Sequence, residues 1–289
     1  IEEKEKTGSK EINRGSGMST PEAHAKLLEA WQNAWEEAGW TTRVLTLEDA
    51  MAHPKYEEVR ESLGRGIFSE YDKLCFMRWF AMVSAGGGWM SDYDLFPLAE
   101  NIPLNIMGKI ADQKYHRYAP LRNINSSKWA NNGGVPLPND GKFTVYDNGG
   151  TAPSLLSGSK KDWDRVARGL IKLEEYHLEG FYSDMLALDD YDESYPQDIA
   201  KEYSVVWSLA DVMSGVRKIE CENVWGRKNK FWAVHFSHYN VNDSLLRGVL
   251  EKGLGRDDRP QIAIDFLHDW KQQCAKGTKC FDGTLSNCY

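Results

Sequence analysis

Leu27, Trp31, Trp35 and Ala38 recur three or four residues apart, and most positions between them are polar or charged. That period lays one apolar stripe along a helix. The helix is expected to open at Ser19 or Thr20, with Pro21 set for its first turn and Glu22 closing a capping box, and to stop at Gly39. A β-prone run, TTRVLTL, follows over residues 41–47. Leu74, Met77, Phe80 and Ala81 then mark a second helix from Glu70 to about Ala85, ended by Gly86, Gly87 and Gly88. Further β-prone runs lie at 104–110, 143–147 and 231–236, and helical patterns at 161–178, 242–253 and 259–274. Alternating helices and strands predict an α/β layer fold. Residues 1–17 are polar and without period, so they read as a mobile arm. Neither a repeat nor a linker divides the rest, which reads as one domain over residues 18–245 with C-terminal helices and a cysteine-bearing tail, 246–289, packed on it.

A chain of 289 residues buries a core without metal or disulfide support. Its net charge of −8 and the lack of a Lys/Arg cluster exclude a nucleic-acid surface. An apolar run of about 18 residues is absent, so no membrane span is expected. Beginning at Ile1, the chain is expected to follow a removed leader or anchor. Cys274, Cys280 and Cys288 crowd the end without zinc-ligand spacing; a short disulfide loop with one cysteine left over stands against three free thiols. Sequons at Asn125 and Asn242 are compatible with a secretory compartment, with a Golgi-type lumen the first expectation.

The candidate chemistry sits in AGGGWMSDYDLF, residues 85–96. In an extended segment Asp92 and Asp94 share a face while Tyr93 points away, and two carboxylates on one face call for a cation. A hard divalent ion accepts such oxygens and keeps positions open for phosphate, while glycine lets the backbone approach a bulky ligand. The D-x-D spacing recurs at Asp162/Asp164 and Asp190/Asp192, so spacing alone selects nothing. The second pair belongs to a helix start, and the third, in DDYDES, reads as a solvated acidic loop. Trp31, Trp35 and Trp79 fall on apolar helical stripes and read as core, whereas Trp89, beside the glycines, is the candidate pocket lining.

CFMRWFAMVSAGGGWMSDYDLFPL resembles the D-x-D glycosyltransferases of the GT-A fold, especially the yeast mannosyltransferase and capsular-polysaccharide groups. The resemblance matches Arg78 to the family arginine, Gly87 and Gly88 to its glycine pair, and Asp92 and Asp94 to its metal motif. Later stretches are similar to glycogenin-like retaining enzymes. DNGGTAPSLLSGS (147–159) places Asn148 and Gly149 beside the donor, YSDMLAL (182–188) matches Asp184 to the aspartate facing the sugar, and FWAVHFSH (231–238) matches His235 to the metal histidine, with His238 the fallback. The family aspartate three residues before the arginine is Cys75 here, with Asp72 the candidate stand-in.

What the resemblance implies is a Rossmann-like three-layer α/β/α sandwich and a metal-dependent hexosyltransferase acting with retention. Asp94, His235 and Asp92 would hold the metal, Mn²⁺ ahead of Mg²⁺ because an imidazole joins the oxygens. Arg78, Gly87, Gly88, Trp89, Asp92, Asn148 and Gly149 would bind the donor, a UDP-sugar ahead of a GDP-sugar. Asp184 and Asp92 would be catalytic, and the acceptor would be a glycan, glycoprotein or glycolipid. The alternative is a non-catalytic protein of the same fold that binds carbohydrate or a protein partner.

Overall fold

The computed structural model describes residues 21–66, 68–98, 137, 139–146, 151–174, 182–202, 205–221, 223, 231, 233–255 and 258–274. Chain order is α1 (Pro21–Glu37), α2 (Leu47–Met51), α3 (Tyr56–Arg65), α4 (Glu70–Ser84), β1 (Gly87–Ser91), β2 (Leu95–Pro97), β3 (Thr144–Val145), β4 (Leu155–Ser159), α5 (Lys160–Glu174), α6 (Asp184–Ser194), β5 (Ala200–Lys201), β6 (Val205–Val206), β7 (Met213–Gly215), β8 (Lys218–Ile219), β9 (Ala233–His235), α7 (His238–Leu246) and α8 (Arg259–Gln273).

The fold is mixed α/β, with its described strands in two small mixed sheets and a hairpin. One sheet runs β1-β4-β3-β5, antiparallel except for β3 with β5. The second runs β2-β9-β6, with β9 antiparallel to β2 and parallel to β6. β7 and β8 form the hairpin. The second sheet lies in one apolar cluster and the first has residues in both, with Leu155 in the cluster of the second sheet and Val145 and Leu156 in the other. Trp31 and Trp35 of α1 pack with Phe96, Val234 and Phe266 in one, and Trp79 and Phe80 of α4 pack with Phe143, Trp163 and Leu188 in the other. The segment from β1 to β2 crosses between the clusters, and it carries Asp92 and Asp94.

Local chemistry explains these elements. The stripe on α1 is buried as its period requires, and Gly39 ends the helix at φ +91°. Ser69 caps α4 by accepting from the Asp72 amide at 3.1 Å, while the Asp72 carboxylate accepts from the Ser69 amide at 3.2 Å. Asp72 is thereby committed to the cap. Gly86, Gly87 and Gly88 all take positive φ, and a Cβ on Gly87 would lie 2.5 Å from the Lys160 nitrogen. The glycine run lets β1 press against the junction of β4 and α5, and the Gly88 carbonyl accepts from the Trp163 indole at 3.0 Å.

Five expectations change. Residues 41–46 form no strand: Val44 is exposed, Thr46 caps α2, and Arg43 pairs with Asp49. The acidic stretch at 190–192 is helical, because Tyr191 is buried and Tyr182, Asp198 and Lys201 supply partners on neighbouring segments. The helical pattern at 242–253 is realised earlier, as α7 from His238. His238 therefore follows the Ser237 cap and lies outside β9, since β9 ends at His235. Cys274 bonds to Cys221 across 53 residues, against the alternative of three free thiols, because the end of α8 packs beside the β7-β8 hairpin. The arm at 1–17, the run at 104–110, Asn125, Asn148, Gly149, Cys280 and Cys288 lie outside the described residues.

Candidate functional site

Asp92 and Asp94 stand in a turn instead of an extended strand. The Asp92 amide donates to the Ser154 carbonyl at 2.8 Å, the Leu95 amide to the Asp92 carbonyl at 3.1 Å, and the Phe236 amide to the Asp94 carbonyl at 2.8 Å. Two indoles of α1 bracket it, Trp31 donating to the Ser91 hydroxyl at 3.1 Å and Trp35 to the Leu95 carbonyl at 2.9 Å. The expected arrangement of side chains still results: both carboxylates point inward and Tyr93 is exposed.

The turn meets the end of β9, where Leu95 lies opposite His235. His235 Nε2 is 3.2 Å from Asp94 Oδ1 and 3.9 Å from Asp92 Oδ2. The other carboxylate oxygens are taken by guanidinium groups. Arg78 Nη1 donates to Asp92 Oδ1 at 2.6 Å, and Arg259 Nη1 donates to Asp94 Oδ2 at 2.7 Å. Arg78 also reaches Asp184 Oδ2 through Nε at 3.0 Å and Nη2 at 2.6 Å, where the Trp79 indole donates as a third partner at 3.0 Å. Asp184 opens α6 behind the Ser183 cap. Asp94, His235, Asp184 and Arg259 are buried, while the Arg78 and Asp92 side chains remain 26% and 25% exposed, so the constellation opens on their side.

Burial pushes Asp92 up to about 6 despite Arg78, with the neighbouring Asp94 charge adding to the rise. Burial also works against the Asp94 anion, but His235 and Arg259 more than offset it and hold that carboxyl at about 2. Burial lowers His235, and the two carboxylates overcome it, so the imidazole stands above its ordinary value. Cys75 is driven up to about 12 by burial and the Asp184 charge. A neutral thiol beside Arg78 does not replace a carboxylate.

Asp92, Asp94 and His235 form the one group among the described residues that could hold a metal ion, each offering one ligand atom within 4.8 Å of the others. Ligands about 2.1 Å from an ion stand roughly 3.0 Å apart across a right angle and about 3.4 Å across a tetrahedral one. The observed 3.2 and 3.9 Å are close to that spacing. The residues fit a divalent cation, and the two guanidiniums are placed to orient the carboxylates that would hold it. His235 Nδ1 is buried without a hydrogen-bond partner, while its carbonyl accepts from Asn240 and its ring meets Trp207 edge-on.

Arg78, Asp92, Asp94, Asp184 and His235, singled out in the sequence, thus form one cluster. Trp89 stacks on Tyr146 and meets Trp40 edge-on, with its indole nitrogen buried and without a partner. Arg259 and Trp207 were not singled out, and Trp79 was assigned to the core alone. Arg259 lies 165 positions from Asp94, so no local pattern marks their pairing.

A family model described as "Domain of unknown function (DUF8765)" matches residues 11–126, under half of the chain. The match spans the Asp92 to Asp94 turn and stops before Asp184, His235 and Arg259. No curated protein and no solved structure matches the chain.

Proposed function

We propose that this protein is a metal-dependent glycosyltransferase of GT-A type, moving a sugar from a nucleoside-diphosphate donor to an acceptor hydroxyl with retention. The observation that carries the reading is the convergence of Asp92 Oδ2, Asp94 Oδ1 and His235 Nε2 while Arg78 and Arg259 occupy the remaining carboxylate oxygens. It is supported by the order of the motifs and by helices packed against mixed sheets.

Asp92, Asp94 and His235 would hold Mn²⁺ ahead of Mg²⁺, and the ion would supply positive charge to the departing diphosphate. The chain's own groups do the positioning. Arg78 ties Asp92 to Asp184, so the metal motif and the sugar-facing carboxylate keep one spacing. Asp184, fixed by three donors on one oxygen, orients the donor sugar. The donor is a UDP-sugar ahead of a GDP-sugar, and the acceptor a glycan, glycoprotein or glycolipid. The Cys221–Cys274 bond supports an oxidising compartment such as the secretory lumen.

The test is a melting-temperature panel of UDP-, GDP- and CMP-sugars with and without Mn²⁺, on wild type and Asp94→Ala. A rise for one nucleotide class that requires Mn²⁺ and disappears in the variant is expected. No shift with any donor, alongside a shift with free glycans, would replace this reading with a non-catalytic carbohydrate-binding protein. That second reading draws on the neutral Cys75 thiol at the family's aspartate position.

A further inference from the structure

Arg259 is the first residue of α8 and only 4% exposed. Its guanidinium donates to Asp94 Oδ2 at 2.7 Å and to the Tyr93 hydroxyl at 3.3 Å, and it lies 5.7 Å from the Tyr93 ring centre. Tyr93 is in turn bonded to His24 of α1 at 2.9 Å. An arginine keeps its proton at any working pH, so this is a permanent positive charge on the same carboxylate whose other oxygen faces the metal position.

We propose that Arg259 holds down the site's affinity for a bare divalent cation, so that the ion is retained together with a diphosphate group and not alone. This inference rests on the metal-site reading of Asp92, Asp94 and His235. Three carboxylates, Asp92, Asp94 and Asp184, face two guanidiniums, Arg78 and Arg259, giving −1 with His235 neutral, as a ligand imidazole must be. A divalent ion turns the cluster to +1, a charge that an anionic diphosphate complements. Without Arg259 the same ion would bring the cluster from −2 to 0, and the diphosphate would meet no excess charge.

Arg259 also orients Asp94, and that effect has the opposite sign, because a well-placed ligand binds the ion more tightly. The two are separable by magnitude. An ion on Asp94 Oδ1 lies roughly 5 to 6 Å from a guanidinium on Oδ2, where repulsion between a doubly and a singly charged cation exceeds the contribution of one charge-assisted hydrogen bond. Charge therefore decides the outcome.

The experiment measures Mn²⁺ binding by the spin-resonance signal of free Mn²⁺, with and without UDP, for wild type, Arg259→Gln and Arg259→Lys, each first checked for a cooperative melt. Arg259→Gln is expected to bind Mn²⁺ alone about tenfold more tightly than wild type or better, and to gain less from UDP. Arg259→Lys keeps the charge and is expected to match wild type. Equal or weaker binding by Arg259→Gln overturns the proposal and leaves Arg259 as a prop for Asp94. Should Arg259→Gln not fold, weakened binding by Arg259→Lys overturns it and unchanged binding supports it. A wild type that takes up no Mn²⁺ even with UDP sinks the metal reading itself, a result distinct from wild-type binding that Arg259 fails to tune.

Discussion

Asp184 shows what one atom carries: its Oδ2 accepts from Arg78 Nε, Arg78 Nη2 and the Trp79 indole. Asp184→Asn keeps the size and removes the charge, leaving Arg78 with Asp92 as its partner in the cluster. Breaking a buried pair from one side costs about 3 kcal/mol. At this chain length that corresponds to a melting temperature lower by about 5 °C. Under the proposed function, transfer should also fall by roughly a hundredfold or more, since the misplaced carboxylate faces the donor. A melt unchanged within a degree would show that Asp184 and Arg78 do not pair in solution. Asp92 and Asp94 stood out in the sequence by the glycine run before them, whereas Arg78, Asp184 and His235 were named through the family resemblance, because no local pattern marks them; the structure brings the five side chains together. Arg259 stands in RDDRPQIA, which reads only as a helix start. Its partner lies across the fold, and nothing in local spacing encodes that pairing.

At the scale of elements, long apolar stripes were readable and short pairings were not. α1, α5 and α8 follow from a helical period that burial then uses, whereas α4 buries Phe76, Met77, Trp79, Phe80, Ala81, Met82 and Val83 on nearly every side and leaves Leu74, expected on its apolar face, exposed. Strands of two to five residues depend on which neighbour offers free backbone groups, and TTRVLTL has none among the described residues. The junction of α2, α4 and α5 offers a test of its own. His53 lies just past α2, edge-on to Phe80 of α4 at 5.0 Å, with its Nδ1 accepting from the Lys55 amide at 3.2 Å and its Nε2 3.6 Å from Asp164 of α5. Burial lowers its pKa, with Asp164 offsetting part of the effect. The sign follows directly: folding favours the neutral ring, so its contribution is complete above the unfolded value of 6.5 and is lost as pH falls through 6.5 toward the folded value. Melts of wild type and His53→Gln across pH 7.5 to 5.5 should show the wild-type advantage shrinking on acidification. A gap that stays constant over that range would mean that His53 does not titrate with folding.

For the whole molecule, the question is how the C-terminal helix comes to serve a site built far earlier in the chain. α8 is held along its length: Arg259 on Asp94, Trp270 donating to the Leu98 carbonyl at 2.8 Å, Asp269 on Arg217 at 2.8 Å, and Cys274 bonded to Cys221. These ties join the cluster around β2, β6 and β9 to the hairpin, and α8 contributes Ile262, Phe266 and Trp270 to that core. Closing a loop of 53 residues contributes about 4 kcal/mol through the unfolded chain. Cys221→Ser with Cys274→Ser should therefore melt about 6 °C lower. The hydrogen bonds of Trp270, Arg217 and Arg259 remain, so helix content at 25 °C and Mn²⁺ uptake should match wild type. A peptide map of the unreduced protein locates the Cys221–Cys274 pair independently. If the pair is present and its removal tightens the uptake of Mn²⁺ alone as Arg259→Gln does, the disulfide and not the packed face of α8 places Arg259. An unchanged uptake assigns that task to packing and confines the disulfide to stability.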